Sequence, residues 1–513
     1  MLRGAFVGRR AAVALGAGLA SGLCLQGGRS RNDERPPSIV IEQAEAAEAT
    51  EGAVPRHYPY VILGACTAAH AAIEAILQQS PLADILMISE ETHLPRLDAT
   101  QDGPTSDAPL SDALMESYNE WRRYITPRLD DEHATPSVSL VLGMQNLHVD
   151  VEQKRITLPD NAQISYDKCL IATAGRPRPL YVLDSSKISY ALRDKVNTVT
   201  TLSDFGALDR LSTRRAITSV TVVGGGFLGT EVAVALATDP RNSHLQVQQM
   251  FVDGQGPCAR HVPAYLSAEI TRRLQAYAHV DVHTHTLVTS IKPDIATGGV
   301  HLSCMGAATA DVVTDYAVLA STQIEPDVEC GQFDGLEIDA LHGGIVVNAQ
   351  LEAVRDLFVA GSVASYYDSF VGRRRVDRYD HAVNSGLVAG QNMVNATKKM
   401  YRHQPMFRSH MPGIHVTIEG IGDIDSRLQT LGVWLSPPKK FGADESYQRG
   451  LVYYLRANKI VGILLWNAPD LLESARDVMV HKPTYDHVQQ LSKVISLGPD
   501  DWLRSIATDD DHA

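Results

Sequence analysis

The strongest hydrophobic pattern in the chain is the β-branched run Thr218–Val223, which leads directly into the three glycines Gly224–Gly226. The Ala/Val/Leu-rich segment Val232–Ala237 lies a few residues further on. An apolar run of this length bounded by glycine predicts a buried strand, and the segment behind it predicts a helix. The pattern therefore predicts a strand–turn–helix unit with the glycines in its turn.

The spacing within this turn is typical of a nucleotide site. Gly224, Gly226 and Gly229 hold the G-x-G-x-x-G spacing, which gives a tight turn, close approach of backbone to a pyrophosphate and close packing of helix on strand. The helix N-terminus then offers unpaired N–H groups to the anion. Asp253 ends the next apolar strand, Leu245–Val252, and its carboxylate suits the hydroxyls of the adenosine ribose. The alternative is a glycine-rich turn in another α/β fold.

A second unit of the same kind begins with the strand Tyr58–Leu63. Its turn and helix start are formed by Gly64, Ala65, Cys66, Thr67 and Ala68. A further strand, Asp84–Ser89, ends in Glu90 and Glu91, at the offset expected of a ribose-binding carboxylate. Because Cys66 stands at the second glycine position, we expect its Cβ to intrude where backbone should meet pyrophosphate and to weaken binding.

The remaining hydrophobic runs predict further sheet and helix. The segment Leu94–Asp112, rich in Pro, Asp, Ser and Thr, predicts a loop. Predicted strands are short antiparallel ones within Ser137–Val151 and Lys154–Leu158, a buried one from Tyr166 that breaks at Gly175, then Tyr316–Ala320, Leu357–Ala360, Val416–Ile421, Thr430–Trp434, Gly450–Arg456 and Lys459–Trp466; predicted helices lie in Arg373–Asn395, Leu471–Met479 and His487–Ile495.

Composition narrows the function classes. A net charge of −14 over 513 residues argues against general affinity for nucleic acid or an anionic membrane, and Arg373–Arg375 is the best candidate for a local basic patch. The six cysteines include no C-x-x-C or similarly close pair, which argues against a zinc ribbon and against a disulfide reductase. We expect these thiols to behave as small buried apolar groups.

The N-terminal segment has the composition of a targeting sequence. Residues 1–32 contain arginines and no acid, around the apolar Ala- and Gly-rich stretch Ala11–Gly28. This predicts a mitochondrial presequence with a possible inner-membrane anchor, and a secretory signal is the alternative. Residues 33–54, acidic and rich in Pro and Ala, predict a linker.

Two nucleotide units, the second inserted within the first and followed by an α+β tail, resemble the layout of flavoprotein reductases with two dinucleotide sites. The chain resembles the mitochondrial apoptosis-inducing factor family over about residues 55–480, and the shared segments include Lys168–Arg178, Leu336–Asn348, Phe358–Gly361 and Gly462–Asn467. The resemblance implies a glutathione-reductase-like α/β fold. Its domains would be a presequence and linker at 1–54, an FAD-binding domain at 55–176 and 324–402, an NAD-binding domain at 177–323 and an α+β domain at 403–513.

The resemblance also implies a function. The family contains FAD-binding, NADH-dependent oxidoreductases of the mitochondrial intermembrane space, with roles in respiratory-chain assembly, through an import or assembly partner, and in cell death. Its members dimerise when reduced. The expected cofactors are therefore FAD and NAD(H), and a homodimer is expected on reduction.

Individual residues carry over by position. FAD would contact Gly64 to Ala68, Glu90, Glu91, Arg178, Gly361, Ser362, Arg378, Tyr379 and His381, whereas NADH would contact Gly224, Gly225, Gly226, Phe227, Leu228, Glu231, Asp253, Arg260 and, from the tail, Glu419. In this assignment Phe227 shields the flavin ring and Glu231 lies beneath the nicotinamide. No protein nucleophile is expected, because the cofactor carries the chemistry.

The departures from the family pattern cluster at the flavin. They are Cys66 and Ser362, Asp107 and Asp112 in place of an Arg and a Lys, Arg378 and Tyr379 in place of tandem histidines, Arg408 in place of a stacking tryptophan, and Gln323 in place of a glycine. Arg96 could compensate in charge for the two aspartates, which would otherwise repel the diphosphate. Two hypotheses follow: an FAD-dependent NADH oxidoreductase that passes electrons to a quinone or oxygen, and a non-catalytic relative with a degraded flavin site that serves as an NADH-responsive assembly or import partner.

Overall fold

The computed structural model describes residues 10–14, 38–43, 56–91, 111–121, 137–177, 190–306, 311–320, 324–328, 331–368, 371–435, 447–481, 484–498 and 504–507. The chain divides into two compact units. The first comprises Met1–Asp107, Tyr124–Arg176 and Glu325–His403; the second comprises Ala108–Arg123, Pro177–Ile324 and Gln404–Ala513. The predicted fold class is confirmed: an α/β protein with two Rossmann-like sheets and an antiparallel C-terminal sheet.

The helices are α1 Thr67–Gln79, α2 Asp112–Trp121, α3 Leu202–Asp209, α4 Phe227–Thr238, α5 Ala264–Tyr277, α6 Tyr379–Val394 and α7 Leu472–His481. The strands are β1 Arg10–Ala14, β2 Ser38–Gln43, β3 Arg56–Leu63, β4 Ile85–Ile88, β5 Ser137–Val141, β6 Leu147–Asp150, β7 Arg155–Thr157, β8 Gln163–Ile171, β9 Arg176–Pro177, β10 Val196–Asn197, β11 Ser219–Val223, β12 Gln246–Met250, β13 Asp281–His283, β14 Thr286–Pro293, β15 Val300–Gly306, β16 Val312–Thr314, β17 Tyr316–Leu319, β18 Ile324–Glu325, β19 Gly331–Asp334, β20 Ile345–Val346, β21 Glu352–Val354, β22 Leu357–Val359, β23 Ala364–Asp368, β24 Gly372–Arg375, β25 Met406–Met411, β26 Val416–Gly422, β27 Gln429–Leu435, β28 Gly450–Arg456, β29 Lys459–Trp466 and β30 Arg504–Ala507.

The first unit is built on one large sheet. Its strand order is β1-β2-β5-β4-β3-β8-β7-β6-β19, and β22 also pairs with β8. The pairs β5–β4, β4–β3, β3–β8 and β8–β22 are parallel, which brings the carboxyl ends of these strands to one edge. Such strands are fully buried in their apolar runs, as Val61–Leu63 and Ile85–Ile88 are here.

Helices α1 and α6 pack closely in the first unit because small residues line their contact. A Cβ added at Gly386 would lie 2.3 Å from the Ala68 carbonyl oxygen, and one at Gly390 would lie 2.4 Å from that of Ala72. Both distances are well below van der Waals contact, so only glycine fits at these two positions. The small residues predicted in this segment therefore hold α6 directly against the helix that follows the Gly64 turn.

The second unit contains a parallel sheet and the antiparallel C-terminal sheet. The parallel sheet has the order β10-β17-β11-β12-β13, and the small antiparallel sheet β14-β15-β16 follows it along the chain. The C-terminal sheet has the order β25-β26-β29-β28-β27-β30, so β25 lies at its edge. Alternating and continuous apolar positions predicted β28 and β29 at their observed bounds, with the tight turn at Ala457–Asn458.

Several local predictions were wrong. Asp112 starts α2 rather than ending a loop, and Ser137–Val141 pairs in parallel with β4 rather than in an antiparallel hairpin. Gly372–Arg375 forms β24, and the predicted helix begins only at Tyr379. The segment predicted as a last helix contains a short 3₁₀ turn, Val488–Lys493, and β2 lies within the predicted linker. These errors fall on short elements, whose conformation is decided by packing more than by local propensity.

The structure also bears on three points raised by the composition: the cysteines, the arginine run and helices that could span a membrane. The thiols of Cys66, Cys169 and Cys258 are buried and free, as expected, and Cys304 is half-buried. The arginine run is not a free basic patch: Arg373 donates to the carbonyls of Val347 and Ser365, and Arg375 donates to those of His342 and Ser362. Of the described helices, none has the length and apolar content that a membrane crossing requires.

Candidate functional site

The inner turn, Gly224–Leu228, joins β11 to α4 in the second unit. Gly224 has φ +139°, and a Cβ there would lie 2.4 Å from the carbonyl oxygen of Ala320. A Cβ at Gly229 would lie 2.4 Å from the carbonyl oxygen of Gly224. The first and third glycines of the motif are thus required by backbone conformation and by close packing, as their spacing predicted.

The start of α4 is suited to an anion. Gly226 is its N-cap and, as a glycine, has no side chain that could cap the first N–H groups of the helix. The unpaired N–H groups of a first helical turn, with the positive end of the helix dipole, favour a phosphate. Leu228 is fully buried and Gly224–Gly226 are half-buried. The residues of the inner turn therefore fit a dinucleotide pyrophosphate.

Asp253 lies just beyond the carboxyl end of β12, the strand next to β11. Its carboxylate is 37% exposed, and the Nε atom of Arg260 lies 4.0 Å from its Oδ1 atom. The Arg260 side chain is 68% exposed. An acid in this position can accept hydrogen bonds from ribose hydroxyls, and the neighbouring guanidinium is available to a phosphate.

Phe227 and Glu231 lie one helical turn apart on α4, and both are covered by protein side chains. Phe227 is 1% exposed, with Trp121 stacked at a centroid distance of 5.7 Å and His261 at 5.2 Å; Phe407 lies 4.9 Å away. The covering residues come from α2, from the loop after β12 and from β25. All of them belong to the second unit.

The carboxylate of Glu231 accepts hydrogen bonds from three side chains. Ser117 Oγ donates at 2.6 Å, Ser409 Oγ at 2.5 Å, and Trp121 Nε1 lies 3.0 Å from both carboxylate oxygens. Burial raises the pKa of Glu231 to about 7, and these donors act in the opposite direction. Glu231 is therefore a buried acid that gains a proton near neutral pH.

Glu419 lies on β26, and its side chain is nearly buried. Arg408 Nε on the paired strand β25 lies 3.8 Å from its Oε1 atom, and among the described residues its Oε2 atom has no hydrogen-bond partner. Burial raises the pKa of Glu419, and the charge of Arg408 acts against that shift. Arg408 thus partly neutralises this carboxylate.

The outer turn, Gly64–Ala68, joins β3 to α1 in the first unit. Gly64 has φ +101°, and a Cβ there would lie 2.2 Å from the Ala172 carbonyl oxygen. Cys66 is the N-cap of α1, and its backbone angles, φ −82° and ψ 178°, are nearly the same as those of Gly226 at the inner turn, φ −80° and ψ 178°. Its Sγ atom donates to the Ala172 carbonyl at 2.9 Å, and burial raises the pKa of the thiol. The thiol therefore points into the protein, and the backbone of the turn is unstrained.

A cleft opens beside the outer turn, at the carboxyl edge of the first sheet. Its lining includes Gly64, Ala65, Ser89, Glu90, Glu91 and Asp327. Arg176 bridges two of its three acids, at 2.7 Å from Glu90 and 3.0 Å from Asp327, whose side chain is 4% exposed. The cleft lies at the strand ends where the adenosine half of a dinucleotide is expected, although Glu90 is already paired. Thr67 and Ala68 are buried at the start of α1.

The remaining predicted flavin residues lie around the start of α6. His381 is fully buried: its Nδ1 atom lies 2.6 Å from the Tyr401 hydroxyl, its Nε2 atom 3.3 Å from the Gly361 carbonyl, and its ring stacks on Tyr366 at 5.0 Å. Burial lowers the pKa of His381 to about 3, so the ring is neutral. It supports Gly361, which has φ +77°, from within the core.

Ser362, Arg378 and Tyr379 complete this set. Ser362 is nearly buried and follows Gly361 in a 3₁₀ turn, Arg378 is the N-cap of α6 and donates to the Asp377 carbonyl, and Tyr379 begins the helix. Arg96, Asp107, Arg178 and Gln323 lie outside the described residues. The assignment of individual residues to FAD or NADH stays a prediction.

Sequence reasoning missed the residues that surround Glu231. Ser117 and Trp121 lie on α2, which no motif marked, and Ser409 lies on β25. A usable signal was present, since Leu114, Tyr118 and Trp121 follow helical spacing within a segment that contains no glycine or proline. Arg176 and Asp327 were missed because ion pairs between distant chain segments leave no local pattern.

Comparison with known proteins supports the class that this fold defines. The family described as pyridine nucleotide-disulphide oxidoreductase matches residues 58–386. By fold, the chain is similar to the putidaredoxin reductase of a covalent complex with putidaredoxin, with a TM-score of 0.61 and 18% identity over 84% of this chain and 94% of that one. A water-forming NADH oxidase from Lactobacillus brevis bound to NADH gives a TM-score of 0.61 and 17% identity over 85% and 92%. The class is that of NAD(P)H-dependent flavoprotein oxidoreductases.

Within this class, the C-terminal sheet identifies the branch. The family described as apoptosis-inducing factor, mitochondrion-associated, C-term, matches residues 389–442 and 436–481. The mitochondrial apoptosis-inducing factor 1 of Dictyostelium discoideum is 33% identical over 448 residues, 85% of this chain and 81% of that protein. A protein of the same name from Drosophila melanogaster is 31% identical over 501 residues, 86% of this chain but only 66% of that protein. The chain belongs to the apoptosis-inducing factor family.

Proposed function

We propose that this chain is a mitochondrial, FAD-dependent NADH oxidoreductase of the apoptosis-inducing factor type. The observation that supports it most directly is the inner turn, where Gly224, Gly226 and Gly229 form the start of α4, and where the partly exposed Asp253 follows the neighbouring strand β12. A carboxylate that accepts ribose hydroxyls favours NADH over NADPH, because a 2′-phosphate would meet like charge.

FAD, when bound, would accept a hydride and pass electrons on to a quinone or to oxygen. The chain's own part is to hold and orient the nucleotides. Gly64–Ala68 and the acid-lined cleft would hold the adenosine half of FAD, and the buried pair His381 and Tyr401 would fix the backbone at Gly361. The inward direction of the Cys66 thiol supports retention of FAD, because no side chain rises from the turn at that point.

The second candidate is a non-catalytic relative that keeps the fold and the inner nucleotide site. Two observations favour it: Glu90 is already paired with Arg176, and the covered Phe227 ring packs against both Trp121 and His261. Such a protein would respond to NADH as an assembly or import partner. The resemblance to the family adds further parts to the proposal. These are a location in the intermembrane space, an inner-membrane anchor, roles in respiratory-chain assembly and cell death, and dimerisation on reduction.

An absorption spectrum of the purified chain separates the two candidates. The oxidoreductase predicts the two-band spectrum of oxidised flavin, and both bands should bleach when NADH is added without oxygen. A colourless protein that stays colourless after refolding with FAD, yet binds NADH in calorimetry, would favour the non-catalytic relative. A protein that binds neither cofactor would contradict both candidates.

A further inference from the structure

Helix α2 binds the carboxylate of Glu231, which the nucleotide site proposed at the inner turn would otherwise offer to its ligand. Ser117 and Trp121 both donate to the carboxylate of Glu231, and Ser409 donates from the other side. Both carboxylate oxygens therefore carry hydrogen bonds from the chain itself. Glu231 is 4% exposed, so no free surface of this carboxylate remains for an external donor.

The aromatic rings beside Glu231 form an ordered stack. His261, Phe227 and Trp121 lie nearly parallel, with interplanar angles of 17° and 11° and centroid distances of 5.2 Å and 5.7 Å. Phe227 packs against both other rings and is only 1% exposed, so its ring is covered by side chains of the chain. A planar ligand ring could stack on Phe227 from the α2 side only in the place of Trp121.

The topology of the parallel sheet shows which half of a dinucleotide this stack concerns. Asp253, at the end of β12, marks the adenosine side, and Arg260 next to His261 lies near it. On the opposite side of β11, β17 pairs with β10, and Asn197 of β10 donates to the Asp204 carbonyl of α3. Tyr118 of α2 packs edge-on against Phe205 of α3 at 5.5 Å. Helix α2 thus lies on the side away from Asp253, where the second nucleotide of a dinucleotide extends.

The Trp121 side chain shares two chemical features with nicotinamide. Nicotinamide is a flat aromatic ring with an amide N–H donor, and the indole is a flat aromatic ring with one N–H donor. The indole plane stacks on Phe227 while its N–H reaches Glu231. One side chain therefore satisfies both of the interactions that a nicotinamide ring would make with these two residues.

Some of the polar contacts that hold α2 to β25 are partly exposed to solvent. Glu120 accepts the backbone N–H of Arg408 on the edge strand β25, and Glu116 lies 3.7 Å from Arg408 and 3.9 Å from His410. The side chains of Glu116 and Arg408 are 41% and 45% exposed, and solvent weakens ion pairs of this kind. Along α2, only Leu114 and Ser117 are buried. The helix is therefore held by its contacts with Glu231 and Phe227, by the packing of Tyr118 on Phe205, and by polar contacts that are partly exposed.

We propose that α2 competes with the nicotinamide ring for Glu231 and Phe227. While α2 is in place, the nucleotide site at the inner turn recognises only the ADP-ribose part of NADH. Nicotinamide would gain affinity for this site only when α2 leaves Glu231. This inference rests on the proposed nucleotide site at the inner turn. It adds that a hydride donor must first displace part of the chain.

Calorimetric titration of the full chain with ADP-ribose and with NADH tests the proposal. Because apparent affinity falls by the fraction of molecules in the competent state, the two dissociation constants should agree within about threefold in the wild-type chain. In Trp121→Ala, NADH should bind at least about tenfold more tightly than ADP-ribose. Trp121→Phe, which keeps the stacking but lacks the N–H, should lie between the two. Asn119→Ala, on the exposed face of α2, is the matched control and should keep the wild-type ratio.

The possible outcomes are distinguishable. A wild-type chain that already binds NADH about tenfold more tightly than ADP-ribose would overturn the proposal, and so would an unchanged ratio in both Trp121 variants. If neither ligand bound to any variant, the nucleotide site itself would be contradicted. If both ligands bound with the predicted ratios to a chain without flavin, α2 would compete as proposed and only the oxidoreductase would be excluded.

Discussion

The outer and inner turns of this chain have nearly the same backbone but different surroundings. Each begins with a glycine at positive φ whose Cβ would meet a carbonyl oxygen of a neighbouring strand end, and Cys66 and Gly226 differ by only 2° in φ. At the outer turn, the strand-end acid Glu90 is paired with Arg176. At the inner turn, Asp253 is 37% exposed and lies 4.0 Å from Arg260, a looser ion pair than the 2.7 Å contact of Glu90, while Glu231 on the helix is covered. The fold thus preserves the shape of a nucleotide turn, and side chains outside the motif decide what remains open to a ligand.

The largest predicted effect tests whether the two turns are equally constrained. Gly64→Ala and Gly224→Ala should each lower the free energy of unfolding by about 2–5 kcal/mol, because strain at positive φ adds to a clash with a backbone oxygen. Urea unfolding measures the loss. The control is Gly298→Ala, at φ +71° with no heavy atom within 4 Å of the added Cβ, for which strain alone predicts about 1 kcal/mol. If the two turn variants were no less stable than this control, the close approach at both turns would be refuted.

The second prediction concerns Glu231, the covered acid on the helix that follows the inner turn. The pKa of Glu231 is raised from 4.5 to about 7 by burial, so the folded chain binds an extra proton between these values. This contribution to stability is fully present below pH 4.5 and is lost as the pH rises through 7, with a total of about 3 kcal/mol. Urea unfolding across this range should show the decline in the wild-type chain.

Two variants sharpen that measurement. Glu231→Gln removes the titrating group and should remove this part of the pH dependence. Glu116→Gln, at a more exposed carboxylate of the neighbouring helix α2, should leave it in place. A wild-type chain and a Glu231→Gln chain with parallel pH profiles would show that Glu231 is ionised at acidic pH in the folded chain.

The smallest predicted effect compares the two strand-end acids directly. Asp253→Asn should weaken NADH binding about tenfold without loss of stability, because the group is partly exposed and would accept charged hydrogen bonds from the ribose. Glu90→Gln should leave NADH affinity unchanged and should cost at most about 1 kcal/mol of stability, since Arg176 is 54% exposed. Calorimetry and urea unfolding check these outcomes. Equal effects on NADH affinity would remove the distinction between the turns.

The sequence was most informative where one residue type alone satisfies the backbone. Gly224, Gly229 and Gly64 could be predicted from spacing because their roles follow from local conformation and close packing. The buried parallel strands and the hairpin of β28 and β29 followed from continuous apolar runs and a short turn. These features depend on neighbours in sequence or on burial itself.

Contacts between distant segments could not be predicted in the same way. The expectation that the Cys66 side chain would obstruct the turn considered only its presence, whereas the direction of the thiol depends on the Ala172 carbonyl, 106 residues away. Glu231 was predicted as a ligand residue, but its partners Ser117 and Ser409 lie 114 and 178 residues from it. No local pattern carries such pairings, because they arise only when the sheet and the helices have assembled.

Hydrogen–deuterium exchange of the full chain, with and without saturating ADP-ribose, tests most directly the central claim that the inner turn is the nucleotide site. If nucleotides bind at the inner turn, ADP-ribose should slow exchange in the peptides that contain Gly224–Leu228 and Asp253–Arg260 and should leave α2, residues 112–121, unchanged. Protection confined to other parts of the chain, or no protection at the inner turn when ADP-ribose is bound, would contradict it.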